Sequence, residues 1–137
     1  MRYLLDTNVV SDARAKRSPE LMSWLSGQAV GDLALSVVSI LELERGIRLK
    51  ERRDPAGANP LRVWLEEDLK PMFAGRILGV DESVAVVAAG FHVPDPMPEM
   101  DALIAATAAV HDLVLVTRNV TDFQRAGVRL LNPWLES

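Results

Sequence analysis

The segment Arg2-Tyr3-Leu4-Leu5-Asp6-Thr7-Asn8-Val9-Val10 reads as a strand that runs straight into a helix. Residues 2–5 are a short apolar run, and the Asp-Thr-Asn cluster that stops it supplies side chains suited to a turn and to the cap of a following helix. The same grammar recurs down the chain. Leu33-Ala34-Leu35 leads through Ser36 into Ile40, Leu41, Leu43, Ile47 and Leu49, which drift along one helical face. A short strand over 76–80 precedes a small-residue helix from Glu82 to about Gly90. Leu113–Val116 is the β-branched, fully apolar run of a buried parallel strand, and 128–131 is a second such run after Gly127, with one short helix expected over 119–126.

The remaining segments fill in around these units. Ser18-Pro19-Glu20 opens a helix over about 19–26 that stops near Gly27. The helix after Ser36 ends in the charged run 48–54, and residues 55–60, with two prolines and a glycine, read as a loop. Leu61, Trp64, Leu65, Leu69, Met72 and Phe73 then recur at helical spacing, with Pro71 near the end, so this helix and the one before it should pair as a hairpin. Residues 94–98 form a stiff proline loop, and the helix restarts over 100–111. Strands alternate with helices and no Asn-Gly hairpin separates two strands. A parallel sheet covered by helices on both faces follows.

At 137 residues, 49% hydrophobic and 25% charged, the chain suits one folded domain over 1–137. It has no cysteine, which removes disulfide scaffolds, thiol nucleophiles and Cys-ligated zinc together. The N-terminal apolar run is too short for a signal segment or a membrane span, so a cytoplasmic protein with no membrane partner is the expectation. Fifteen basic against nineteen acidic residues leave a formal charge of -4, which disfavours nonspecific wrapping of nucleic acid.

In open parallel sheets the site lies beyond the carboxyl ends of the strands. Four acids fall there: Asp6 after the first strand, Glu42 early in the helix after the second, Asp101 at the start of the helix feeding the fourth, and Asp122 shortly after the fourth. Each alone reads as a cap or a dipole-complementing charge. Capping gives no reason for four of them to converge on one edge. Crowded carboxylates raise one another's pKa and stay ionised most readily around a hard cation. Magnesium, with manganese as a substitute, fits: it takes oxygen ligands, keeps waters and is completed by substrate phosphates. At a phosphate ester such a cluster polarises the phosphoryl group, activates water and stabilises the leaving oxygen. Phosphodiester hydrolysis is the chemistry implied.

Other chemistries fit less well. His92 and His111 lack a zinc-protease frame, and neither a G-x-S-x-G elbow nor a Gly-rich phosphate loop occurs. A metal-dependent phosphomonoesterase remains an alternative, although Asn8 stands where such sites want the second acid of Asp-x-Asp. A receiver domain is a poor match, with Val80-Asp81 as its only acceptor candidate. A noncatalytic module that keeps the fold for protein partners is the third reading.

Four blocks, Leu4-Leu-Asp-Thr-Asn-Val-Val-Ser11, Ser39-Ile-Leu-Glu-Leu-Glu-Arg-Gly46, Asp101-Ala-Leu-Ile-Ala-Ala-Thr107 and Thr117-Arg-Asn-Val-Thr-Asp-Phe123, resemble the signature blocks of PIN-domain ribonucleases. Their order and spacing are similar to those of the VapC toxins of type II toxin-antitoxin systems, in particular the FitB-like branch. The resemblance implies a three-layer α/β domain with five short parallel strands, acting as a magnesium-dependent endoribonuclease. It gives Asp6, Glu42, Asp101 and Asp122 as the acidic constellation, with Asp6 and Asp101 as direct metal ligands. Thr7, Thr117 and Asn119 match the supporting polar positions that orient carboxylates and water. The resemblance further implies homodimers, neutralisation by a cognate antitoxin, and contact with operator DNA only through that antitoxin. Arg45, in the basic run that ends the third helix, and Arg118, beside Asp122 with Arg125, are candidate RNA contacts. Leu61, Trp64, Leu65, Met72 and Phe73 give the fourth helix an apolar face that suits either the core or a partner.

Overall fold

The structure, a computed structural model, describes residues 1–135. Five strands form one parallel sheet: β1 (Tyr3–Leu5), β2 (Leu33–Ser36), β3 (Ile77–Leu78), β4 (Val114–Val116) and β5 (Leu130–Leu131), in the order β3-β2-β1-β4-β5. The helices are α1 (Thr7–Ala15), α2 (Pro19–Ser26), α3 (Val37–Arg53), α4 (Pro55–Val63), α5 (Lys70–Met72), α6 (Glu82–Phe91), α7 (Glu99–Val110) and α8 (Val120–Phe123). A π-helical stretch, Trp64–Leu69, joins α4 to α5. Among the described residues no helix is long and apolar enough to cross a membrane.

The three layers follow from the period-two geometry of a strand, which sends successive side chains to opposite faces. Leu4, Ala34 and Leu115 point to one face, where α6, α7 and Phe123 of α8 bury them with Val84, Ala88, Ile104 and Ala105. Tyr3, Leu5, Leu33, Leu35 and Val116 point to the other, against Val9 and Val10 of α1, Leu21 of α2, Ile47 of α3, and Leu65, Leu69 and Phe73 of the α4–α5 arm. Strand order runs outward in both directions from β1, so the crevice between β1 and β4 is where it reverses. Ligand sites form at such a reversal.

Two expectations are corrected by local chemistry. Residues 55–60 are helix, not loop. The Asp54 side chain caps α4 by accepting from Gly57 N at 3.0 Å, and Pro55 occupies the first helical position, where its missing N–H costs nothing. A Cβ on Gly57 would lie 2.0 Å from Asp54 Oδ2, so the close cap requires glycine there. Pro60 sits inside α4, which nevertheless continues, held by the fully buried Ala58 and by contacts to α3. The strands at the two edges are also shorter than their apolar runs: β3 keeps only residues 77–78 of 76–80, and β5 only 130–131 of 128–131. Each edge strand pairs on one side alone. The helix expected over 119–126 divides into α8 and a 3-10 turn, Gln124–Ala126.

Of the fourth-helix apolar residues, Leu65 and Phe73 are core, Leu61 and Trp64 are half-buried, and Met72 is 53% exposed.

Candidate active site

Asp6 leaves β1 in extended backbone and caps α1, its Oδ1 accepting from Thr7 N at 2.8 Å. Its Oδ2 accepts from the Thr117 hydroxyl at the end of β4, also at 2.8 Å, and Thr117 Oγ1 in turn accepts from Asn119 N at 3.0 Å. The two central strands are thus tied at the strand-order reversal by a buried carboxylate and a buried hydroxyl. On the other side, Thr7 Oγ1 donates to Glu42 Oε1 at 2.6 Å and lies 2.8 Å from Ser39 Oγ, whose proton can close the second contact. Ser36 caps α3 at Val38 N, which aims the first turns of that helix, and Glu42 with them, at α1. Two hydroxyls therefore fix two carboxylates from separate segments.

The electrostatics bring in the other two acids. Burial raises the Asp6 carboxyl above its ordinary range; hydrogen bonds from Thr117 and Thr7 N lower it, and the charges of Glu42 and Asp122 raise it. Asp101, in the first turn of α7, is pushed up to about 6, first by burial and then by Asp6, Glu42 and Asp122. Among the described residues no basic side chain offsets either shift. Asp122 is exposed, yet its field reaches both the buried Asp6 and the half-buried Asp101. All four expected acids share one edge of the sheet.

The donor set suits a hard cation that keeps part of its water shell. It is all oxygen, and Asp6, though it already accepts two hydrogen bonds, has lone pairs left on both oxygens. Among the described residues no three His, Asp or Glu side chains form a cage, which is the arrangement magnesium needs least. Asn8 Oδ1, in the adjoining turn of α1, is buried with no partner, a position that calls for a water.

The arginines divide. Arg118 stays at the rim, 3.5 Å from Asp12 Oδ2 with its guanidinium 5.3 Å from the Trp134 ring. Arg45 lies on the outer face of α3 in a hollow with Leu41, Arg48 and Arg52, whereas Glu42 lines a different cleft. Arg125 is not available to phosphate as expected: its guanidinium donates to the backbone carbonyls of Phe91, Asp95 and Pro96 and holds the proline loop. Asn119 acts on Thr117 through its backbone N–H, and its exposed side chain makes no hydrogen bond among the described residues. Sequence reasoning missed Ser39 as a partner of Thr7 and missed Asp12, Arg14 and Arg17 in the Glu42 cleft. The i, i+3 spacing of Ser39 before Glu42 was the one available signal for the first; the cleft is tertiary and left none.

Residues 3–128 match the PIN domain family. The chain is 36% identical over 137 residues to the toxin FitB of Neisseria gonorrhoeae, covering 96% of this chain and 97% of that protein. It is 30% identical over 139 residues to a VapC ribonuclease of Sinorhizobium fredii, covering 96% of each. Among solved structures, a chain in FitAB bound to a DNA fragment superposes with a TM-score of 0.89 at 32% identity, over 98% of this chain and 97% of that one.

Proposed function

The chain belongs to the PIN-domain family, among the FitB-like VapC ribonuclease toxins of toxin-antitoxin systems, and from that premise we propose how its own residues cut RNA. Residues 1–137 work as one domain that hydrolyses RNA phosphodiesters with magnesium, manganese serving as a substitute. Asp6 and Asp101 would hold the ion, which when bound would neutralise charge on the phosphoryl oxygens and acidify the attacking water.

The protein's own groups do the rest. Thr117 and Thr7 N lock the Asp6 carboxylate so that its free lone pairs face the site. Thr7 holds Glu42 by Oε1, which leaves Oε2 to accept a proton from water. Asp122 and the free amide of Asn119 orient water at the β4 side, and Arg118 meets phosphate at the rim, whereas Arg45, on the outer face of α3, stands away from it. The observation that carries this reading is the convergence of four acids from four segments, expressed in the raised carboxyl of Asp101.

A protein antitoxin neutralises the chain. An apolar groove of about 870 Å³, lined by Val10, Ala13, Leu25, Trp64, Pro71 and Met72 among others, gives room for its segment. Exposed Leu41 and Leu49 on α3, 45% and 60% accessible, favour a homodimer, and operator DNA is met only through the antitoxin. Expression of the chain beside its Asp6→Asn variant, with end-mapping of cellular RNA, tests the reading. Growth arrest with discrete new RNA ends, lost in the variant, is the expected outcome; identical behaviour of two soluble proteins overturns it.

A further inference from the structure

The cleft that contains Thr7 and Glu42, about 370 Å³, has a far wall of a different character, formed by Arg14 at the end of α1, by Arg17 in the link beyond it, and by Leu61 and Trp64 from the α4 arm. Both arginines are exposed, and among the described residues neither makes an ion pair. The one acid in the cleft besides Glu42 is Asp12, which is engaged by Arg118 at 3.5 Å. Arg14 stands over the Trp64 ring at 6.0 Å from its centroid. Trp64 is half-buried against the core, so its ring is held while part of it borders the cleft. It opens the π-helical stretch, an irregularity that recurs at functional sites.

A polyanion faces an obstacle here. The chain carries a net charge of -4, and the four acids repel a phosphate backbone until a cation is in place. Two unpaired guanidiniums across the cleft from Glu42 supply an attraction where it is needed, and a fixed indole offers a face to any base. We propose that this wall is a nucleotide subsite for the RNA strand, with Trp64 stacking the base beside the scissile phosphate and Arg14 and Arg17 taking the next phosphate. The assignment rests on the ribonuclease reading above and adds where the strand lies. Arg14 and Trp64 also line the apolar groove, so a protein segment seated there meets the same two side chains. Occupancy by RNA and by such a segment is then mutually exclusive.

The test reads binding rather than turnover. A labelled, short single-stranded oligoribonucleotide of mixed sequence is titrated by anisotropy in EDTA across a salt series, with cleavage of cellular RNA by wild type run alongside. The Arg14→Gln/Arg17→Gln variant should lower the slope of log K against log salt by about 0.7, one phosphate on a single strand. Trp64→Leu should weaken binding about tenfold, with most of it restored in Trp64→Phe. The charge-matched Arg52→Gln/Arg53→Gln variant, at the far end of α3, should keep the wild-type slope. If Trp64→Leu does not fold, the exposed arginine pair decides alone. Variants that bind RNA like wild type, while wild type cleaves it, overturn the subsite and leave the ribonuclease standing. Loss of antitoxin binding with RNA binding intact assigns the wall to the protein partner and overturns the proposal. A wild-type chain that neither binds nor cleaves RNA removes both.

Discussion

Glu42 and Glu44 sit two residues apart on α3, and their surroundings are opposites. Two steps along a helix turn the side chain through about 200°, so one faces the sheet edge and the other faces the α4 arm. Glu44 is saturated with cations: Arg62 donates to both of its oxygens at 2.8 and 2.7 Å, and Arg48 adds a contact at 2.9 Å. Those guanidiniums, Arg62 foremost, hold the Glu44 carboxyl at about 2. Glu42 meets a hydroxyl instead, and its charge helps to push Asp101 up to about 6. The same residue type on one helix serves as a structural clasp on one side and as part of an uncompensated cluster on the other. Glu44 draws its counter-charge from the protein itself, whereas the crowded acids around Glu42 have no basic partner among the described residues and suit a cation supplied from outside.

The largest effect comes from breaking the uncompensated side. Replacing Asp101 by Asn should cut RNA cleavage by roughly 10³-fold or more if it serves as the proposed ligand of the ion. In EDTA at neutral pH the same variant should melt at or above the wild-type temperature, since the substitution removes a charge that the fold penalises. A variant that loses activity by unfolding would show the reverse, and the melting curve separates the two.

Supplying the cation should do what the mutation does. Free magnesium at ten times its dissociation constant stabilises the folded state by about 1.4 kcal/mol, roughly 4 °C in melting temperature for a domain of this size. Neither Asp6→Asn nor Asp101→Asn should show that rise. A thermal shift of equal size in all three proteins would place the ion elsewhere.

The two regions also respond oppositely to pH. Asp101 has its folded value raised from 3.8 to about 6, so the protein without metal should lose stability as pH climbs through that interval. Glu44 has its folded value lowered from 4.5 to about 2, so the stability it confers is present above 4.5 and disappears as pH falls towards 2. Melting temperature against pH in EDTA should therefore fall on both sides of an optimum at about pH 4. Asp101→Asn should make the upper limb shallower, with Asp6 supplying the remainder, and Glu44→Gln should flatten the lower; an upper limb unchanged by both Asp101→Asn and Asp6→Asn would detach it from the acid cluster.

The acid edge was legible in the sequence because its chemistry is local to strand ends. Asp6 must follow β1 to cap α1, and Thr117 must end β4, so each falls next to an apolar run that can be recognised. The clasp and the Arg14–Trp64 wall were not legible, because they join α1, α3 and α4 across stretches whose pairing no spacing encodes. Arg125 illustrates the same limit. Its neighbourhood to Asp122 suggested phosphate, but the carbonyls that claim it lie about 30 residues earlier in the proline loop. Residues 55–60 were misread for a physical reason as well: proline and glycine composition signals a loop, whereas the order Asp54-Pro55-Ala56-Gly57 is that of a helix start.

The smallest predicted effect is at the clasp itself. Glu44→Gln removes a carboxylate that receives Arg62 through two hydrogen bonds, yet Arg62 also reaches Glu51 at 3.1 Å and Glu66 at 3.5 Å. The guanidinium keeps partners after the substitution, and every member of the network borders solvent. Ion pairs of this kind contribute little, so the melting temperature should fall by roughly 2 °C at low salt, and the difference should close near molar salt as screening removes it. RNA cleavage should be retained, because Glu42 is held from the opposite side by Thr7. A loss of cleavage comparable to that of Asp101→Asn would mean that the two faces of α3 are coupled, with the position of the α4 arm setting the geometry of the acids.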